Sequence, residues 1–104
     1  MAKKIAWSFH AADDLQAIAE YIGKDSAFYA SAFAQEILEA GRSLKDLYER
    51  GRVVPELENP IIRELFIKEY RLIYLVEEYR IVILGIVHGK RNLNRLWKND
   101  ERES

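Results

Sequence analysis

The order of hydrophobic patterns predicts an α+β domain in which a helix hairpin packs on one face of a mainly antiparallel sheet. Two segments before residue 50 repeat apolar residues every three or four positions, as amphipathic helices do. Three segments after residue 60 alternate with a period of two, as strands do, and a short strand precedes the first helix. The predicted order is therefore β-α-α-β-β-β, and a chain of 104 residues fits one domain, 1–104.

The first half of the chain is predicted to hold one strand and two helices. The strand runs from Lys4 to Phe9, and the first helix follows it, with one apolar face and with Gly23 as its end. The second helix, 26–48, repeats apolar residues at spacings of three and four: Ala30, Phe33, Ile37, Ala40, Leu44 and Leu47. A lone coiled coil would show the same spacing, but the short link between the helices favours an antiparallel hairpin.

The second half is predicted to hold three strands after a Gly-, Pro- and Asn-containing loop at 50–60. Their predicted ranges are Ile61–Ile67, Tyr70–Val76 and Tyr79–His88. The middle strand alternates, so Tyr70 and Arg71 should lie on opposite faces of the sheet. The last strand is apolar on both faces from Ile81 to Leu84, as expected of a central strand that is covered on both sides.

The C-terminal tail is predicted to form a short helix or an extended arm over residues 89–98. Its apolar residues Leu93, Leu96 and Trp97 would form a sticky face on that arm. The last residues, 99–104, are predicted to be flexible.

The composition excludes several classes of protein. The chain has no cysteine, which excludes disulfides and thiolate metal sites and indicates an intracellular protein. The longest apolar run, Ile81–Val87, is far shorter than the about 20 residues that span a bilayer, and the N-terminus lacks a signal-peptide pattern. His10 and His88 are too far apart for a metal motif, and phosphate-loop and dinucleotide signatures are absent. We expect a cytoplasmic protein that needs no membrane, metal or cofactor.

Positive charge is concentrated in the second half of the chain. Residues 1–62 carry 7 Lys and Arg against 10 Asp and Glu, whereas residues 63–98 carry 8 against 4. A polyanion or an acidic partner could therefore dock on the second half. The alternative is a basic face that is merely solvated.

The candidate site is a basic group around a histidine. It consists of Arg63, Arg71, Lys90, Arg91 and Arg95 with His88 beside them. An arginine inside an apolar strand, as Arg71 is, must reach solvent, a phosphate or a carboxylate, because a buried unpaired guanidinium is very costly. The alternative to a functional role is that Arg71 is purely structural and forms an ion pair with a helix carboxylate.

His88 can transfer a proton near neutral pH, because the pKa of an imidazole lies in that range. Cleavage of RNA through its own 2′-hydroxyl needs a proton acceptor, a proton donor and positive charge on the phosphate. His88 with Arg63, Arg71 and Arg91 could supply these groups. A histidine at a strand end can equally be hydrogen-bonded without any catalytic role.

Several strings in this sequence are similar to those of RelE/ParE toxins. Tyr70-Arg71-Leu72-Ile73-Tyr74, a hydrophobic strand and His88-Gly89-Lys90-Arg91 resemble the C-terminal half of those proteins. Upstream, two further segments resemble those toxins and occur in the same order: Trp7-Ser8 before the first helix, and Gly51-Arg52 with Val54-Pro55-Glu56. The resemblance covers almost the whole chain.

The resemblance implies a growth-inhibiting toxin of a type II toxin–antitoxin pair, of the plasmid-stabilisation type, bound by a cognate antitoxin in a hetero-oligomer. RelE-like members cut mRNA on the ribosome, and we favour this function because the basic group with His88 suits a phosphate site; it would make His88, Arg71 and Arg91 catalytic. Arg63, Lys90, Arg95 and Trp97 would then hold RNA. ParE-like members inhibit DNA gyrase without catalysis, and an inactive binding module is a third reading.

Two positions depart from the RelE pattern. RelE-like toxins place a pair of lysines on the strand before the arginine strand, whereas this chain has Ile62-Arg63-Glu64 there. They also have a tyrosine six residues after the Gly-Lys-Arg arginine, where this chain has Trp97. An indole N–H only donates, so it cannot replace a phenol in acid–base chemistry, although it can stack on a base.

Overall fold

The computed structural model of the protein describes residues 2–94, which form two helices and a five-stranded sheet. The elements in chain order are β1 Lys4–Trp7, α1 Phe9–Gly23, α2 Ala27–Ser43, β2 Arg52–Val53, β3 Ile62–Ile67, β4 Tyr70–Val76 and β5 Arg80–His88. The predicted α+β class and the predicted order of the long elements are confirmed. No helix in this part of the chain is long and apolar enough to cross a bilayer.

Both helices begin at a serine cap. The Ser8 hydroxyl accepts from the amide of Ala11, and the Ser26 hydroxyl accepts from the amide of Tyr29, which satisfies amides that have no partner inside the helix. The prediction that the second helix extends to residue 48 is wrong, because α2 ends at Ser43. Past that point the backbone hydrogen bonds mostly join residues three apart, as in turns. Leu47, the last apolar residue of the spacing pattern, is 58% exposed.

The sheet has the order β1-β5-β4-β3-β2, and only the β1–β5 pair is parallel. The predicted last strand is therefore interior, between β1 and β4, and Ile83 on it is fully buried, as expected. β2 lies inside the segment predicted to be a loop. Two residues cannot display a period of two, so the sequence pattern could not reveal this strand.

The sheet has a core on each side. The helix face, which carries α1 and α2, buries Phe33, Ile37 and Leu44 against the even-numbered residues Leu72 and Tyr74 of β4. The far face, opposite the helices, has a smaller core of Val54, Ile62, Ile73, Leu84 and Leu93. Leu93 was predicted to lie on a sticky tail, but it is fully buried in this far-face core. Leu96 and Trp97 lie outside the described residues, as does the predicted flexible segment 99–104.

The loop after α2 is tied to the sheet by the buried hydroxyl of Tyr74. This hydroxyl accepts from the Gly51 amide at 2.8 Å and donates to the Tyr48 carbonyl at 3.0 Å. Burial raises the pKa of Tyr74, which keeps the phenol protonated and able to donate. A Cβ on Gly51 would lie 2.5 Å from both this hydroxyl and the Glu64 carbonyl, so the close approach requires glycine.

We expect Tyr74→Phe to lower the free energy of unfolding by about 1–2 kcal/mol, because it leaves the buried Gly51 amide without an acceptor. Urea unfolding monitored by circular dichroism measures the change. Tyr79→Phe is the matched control, because Tyr79 is 75% exposed, and it should change stability by less than about 0.5 kcal/mol. Equal effects of the two substitutions would show that the Tyr74 hydroxyl contributes nothing.

Candidate functional site

Arg71, the central residue of the predicted basic site, is held between two carboxylates on the far face. Its Nη2 donates to Glu56 Oε2 at 2.7 Å, and its Nη1 donates to Glu64 Oε1 at 2.9 Å. The side chains of Arg71 and Glu64 are only 3% and 0% exposed. Glu64 also accepts from Arg52 Nε at 2.7 Å. Charges therefore alternate along a chain Arg52–Glu64–Arg71–Glu56.

This charge chain changes the ionisation of its members. The hydrogen bond from Arg71 is the main cause that lowers the pKa of Glu56 to about 2, against the opposing effect of burial. The same bond, with that of Glu64, raises the pKa of Arg71. Arg71 and Glu56 therefore both stay charged at neutral pH. The positive charge of the Arg71 guanidinium is already neutralised by acids of its own chain.

Sequence reasoning allowed for a carboxylate partner of Arg71 but expected it on a helix, and it did not identify Glu56 or Glu64. Glu56 comes from the loop before β3, and Glu64 comes from β3 itself. One signal was available: Glu64 follows Ile62 by two residues, so it points to the same buried face of a strand. An acid at such a position needs a cationic partner, and Arg71 is the one cation on the next strand, β4.

The charge chain also fastens the segment that leaves β5. Arg71 Nη2 donates to the carbonyl of Arg91, and Glu56 Oε2 accepts from the Leu93 amide at 3.4 Å. Leu93 then inserts into the far-face core. The path of residues 91–94 across the far face is thus set by the Arg71–Glu56 pair.

His88 lies on the opposite side of the sheet from Arg71. It pairs with Tyr70 across β4 and β5, and cross-strand partners point to the same face. Tyr70 packs against Phe33 of α2 with ring centroids 5.2 Å apart, which places both Tyr70 and His88 on the helix face. The imidazole packs edge-on against Tyr70 and lies 3.8 Å from the Glu69 carboxylate.

An irregularity in β5 determines this placement. β4 and β5 pair Tyr74 with Ile83 but Ile73 with Gly85, so Leu84 is an extra residue in β5. Leu84 belongs to the far-face core, whereas Ile86, two residues later, belongs to the helix-face core. The shift exchanges the faces of all later residues, as a β-bulge does. A regular strand would have put His88 on the face of Arg71.

The other predicted site residues are scattered. Arg63 pairs with Tyr74, which places it on the helix face, and it donates to the Gly51 carbonyl at 2.7 Å. Lys90 and Arg91 are exposed on the turn after β5, where the Lys90 amide donates to His88 Nδ1 at 3.2 Å. Arg95 and Trp97 lie outside the described residues. The backbone carbonyl of Arg91 therefore contacts Arg71, whereas the side chains of His88 and Arg63 lie on the opposite face of the sheet from Arg71.

Chemically, the Nη donors of Arg71 are already engaged within the chain. Both Nη atoms donate to acceptors of its own chain, namely the two carboxylates and the Arg91 carbonyl, and its Nε is buried without a hydrogen-bond partner within residues 2–94. No proton-transferring histidine lies on its face among residues 2–94. Within the same residues, no group of three or more His, Asp or Glu is placed to hold a metal ion. The catalytic roles of His88, Arg71 and Arg91 stay predictions.

Residues 5–93 match the family model described as the ParE toxin of the type II toxin–antitoxin system parDE. The chain belongs to this ParE toxin family. It is also similar to Toxin RelE2 of Caulobacter vibrioides, with 34% identity over 89 residues that make up 85% of this chain and 97% of that protein. The RelE/ParE resemblance in the sequence is therefore confirmed.

The fold of this ParE-family chain also matches a solved structure. A chain of the chromosomal ParDE toxin–antitoxin system from P. aeruginosa superposes with a TM-score of 0.71 and 26% identity. The match covers 86% of this chain and 98% of that chain. One relative is named RelE2 and the other belongs to a ParDE system. Membership in the family therefore identifies a toxin, and the mechanism has to be argued from the geometry of the site.

Proposed function

We propose that this ParE-family toxin arrests growth by binding a target, DNA gyrase, rather than by cutting RNA, and that a cognate antitoxin holds it inactive in the cytoplasm. The observation that carries the proposal is the neutralisation of Arg71 by Glu56 and Glu64 at 2.7 and 2.9 Å. A phosphate would have to displace two carboxylates to reach this guanidinium. Such displacement would leave the buried Glu64 with Arg52 as its remaining cation and Glu56 with no cation, at a cost of several kcal/mol.

The separation of His88 from Arg71 supports the same proposal. A nuclease site must place the proton-transferring group and the phosphate-binding group within reach of one phosphate. A five-stranded sheet lies between these two side chains, since one is on the helix face and the other on the far face. A binding protein does not need the two groups to converge.

A ribosome-dependent mRNA endonuclease is the second candidate. Lys90 and Arg91 are exposed directly after His88, so this turn offers two cations and an imidazole at one end of the sheet. One relative is named RelE2. In this reading His88 and Arg91 act on the phosphate, and Arg63, Arg95 and Trp97 contact the RNA.

The substitution His88→Ala separates the two candidates. For a gyrase inhibitor we expect growth arrest to stay within about twofold of the unsubstituted toxin, because a half-exposed imidazole at a strand end adds little to stability. For a nuclease, removal of the proton-transferring group would lower the cleavage rate by about 10²–10⁴-fold. His10→Ala is the control, since His10 is an exposed histidine at the start of α1.

Two assays on the same samples give the readout. Ends of ribosome-bound mRNA are mapped after toxin induction, and supercoiling by purified gyrase is measured with added toxin. We expect loss of supercoiling without new mRNA ends. New mRNA ends that disappear with His88→Ala, together with unaffected gyrase, would replace the proposal by the endonuclease.

A further inference from the structure

A half-exposed aromatic ring marks a second surface on the far face, next to the charge chain. Phe66 is the cross-strand partner of Arg71, and 53% of it is exposed. The Arg52 guanidinium lies 5.3 Å from the centre of the ring. Arg52 is held there by its 2.7 Å bond to the buried Glu64. The ring is thus fixed on one side and open to solvent on the other.

The turn after β5 forms the other border of this ring. The Gly89 amide donates to the Glu69 carbonyl at 2.8 Å. A Cβ on Gly89 would lie only 3.1 Å from the Phe66 ring, so a residue with a side chain would be crowded against the ring here. Lys90 and Arg91 follow and are both exposed. We call the surface made of Phe66, Arg52, Gly89, Lys90 and Arg91 the Phe66 surface.

The charge chain beneath the Phe66 surface explains why the surface is rigid. Glu64 fixes Arg52 against the ring, and Arg71 fixes the backbone of Arg91. The positions of Arg52 and of the Arg91 backbone, on the two sides of the surface, therefore both depend on one buried pair, Arg71–Glu64, whose nitrogen and oxygen lie 2.9 Å apart. A rigid aromatic side chain bordered by arginine is the kind of residue that dominates the binding energy of protein interfaces.

The charge balance favours a protein over a nucleic acid as the occupant. Two cations beside the ring already have carboxylate partners: Arg52 with Glu64, and Arg71 with Glu56. Of the cations around the ring, only Lys90 and Arg91 have no ion pair within residues 2–94. Proteins that bind nucleic acid through its backbone typically contact about 6–10 phosphates. Two cations beside one ring instead match an apolar side chain flanked by one or two carboxylates.

We infer that the Phe66 surface is a docking site for an acidic segment of the cognate antitoxin, which places an apolar side chain on the ring and carboxylates against Lys90 and Arg91. The inference rests on the antitoxin partnership in the proposed function but not on gyrase as the target. We take the antitoxin as the occupant because the matched family is the toxin of a toxin–antitoxin system and because the exposed cations Lys90 and Arg91 fit an acidic protein segment. Phe66 then governs neutralisation of the toxin and not its toxicity.

The test uses the toxin–antitoxin complex purified from cells that express both proteins, and compares Phe66→Ala with Tyr79→Ala. Tyr79 is also an exposed aromatic, at 75%, but it lies in the turn between β4 and β5, at the far end of these strands. We expect Phe66→Ala to raise the dissociation constant for the antitoxin at least about tenfold, as loss of an aromatic anchor does. Tyr79→Ala should stay within about twofold.

A charge-reversed variant, Lys90→Glu with Arg91→Glu, should weaken the complex by a similar factor, and the loss should shrink as salt rises. In cells, Phe66→Ala should still arrest growth and still inhibit gyrase, but co-expressed antitoxin should no longer rescue growth. Thermal melting by circular dichroism confirms that each variant is folded.

Three outcomes would overturn the inference. The first is an antitoxin affinity of Phe66→Ala equal to that of Tyr79→Ala. The second is loss of toxicity with full antitoxin affinity, which would assign Phe66 to the target. The third is binding of a 15-nucleotide single-stranded RNA or DNA that depends on Phe66 while antitoxin binding does not. Failure of gyrase inhibition by the unsubstituted toxin would overturn the proposed target and leave the docking site standing.

Discussion

Arg71→Ala should lower the free energy of unfolding by about 3–5 kcal/mol, the cost of removing one partner from a buried ion pair. Glu64, whose side chain is fully buried, would keep only its contact with Arg52, and Glu56 would lose both of its bonds to the guanidinium. The Arg91 carbonyl would also lose its donor. A domain of this size has only about 5–15 kcal/mol of stability, so a large fraction of the variant would be unfolded in cells.

Urea unfolding measures this loss, and two further variants test its cause. Arg80→Ala removes an arginine from an exposed pair with Glu77, where we expect a change of about 0–1 kcal/mol. The triple substitution Arg71→Met, Glu56→Gln and Glu64→Met removes all three charges together. It should be more stable than Arg71→Ala, because no charge then stays buried without a partner. A triple variant less stable than Arg71→Ala would contradict the explanation.

This energetic role affects how toxicity data are interpreted. A loss of growth arrest in Arg71→Ala would look like the loss of a catalytic arginine, although unfolding alone would produce it. The folded fraction must therefore be measured beside the activity. His88→Ala does not have this difficulty, since the imidazole is part of no buried ion pair.

The faces of single strands were predictable from sequence, whereas the relation between strands was not. The period of two correctly placed Arg71 opposite Tyr70 on β4. Whether His88 shares the face of Arg71 depends on the pairing register and on the extra residue Leu84 in β5. Leu84 itself continues an apolar run in which either face would be buried, and the local signal that was available is the adjacent Gly85, because a glycine inside a strand often marks a bulge.

The prediction of the site was limited in the same way, because the pairing of the strands was not known. A basic group was inferred from charge counted along the chain, but its member Arg71, like the neighbouring Arg52 outside the group, is neutralised by acids that come close only in the folded sheet. Arg71 meets Glu56 across 15 residues of sequence, and Arg52 meets Glu64 across 12. Such pairs require the hairpin register, which composition does not contain. The helix spacing, in contrast, is local, and it gave α1 and α2 correctly apart from the end of α2 and the start of α1, where Phe9 was wrongly assigned to the first strand.

Acid should destabilise the protein through Glu56. Its pKa is about 2 in the folded chain and 4.5 without perturbation, so folding favours the ionised carboxylate. A lowered pKa contributes stability that is fully present above about pH 5 and is lost as the pH falls from 4.5 to 2. The difference corresponds to about 3 kcal/mol at most, and partial exposure of this carboxylate reduces it.

Urea unfolding of the unsubstituted protein and of Glu56→Gln at pH 7, 5, 4 and 3 isolates this contribution. Glutamine cannot ionise, so the stability gap between the two proteins should be largest at pH 7 and should narrow as Glu56 becomes protonated. Glu49→Gln, at an exposed position, should show a small gap at every pH. A Glu56→Gln gap that stays constant between pH 7 and pH 3 would mean that Arg71 does not stabilise the ionised carboxylate, and the charge chain would then lose its role as the support of the far face.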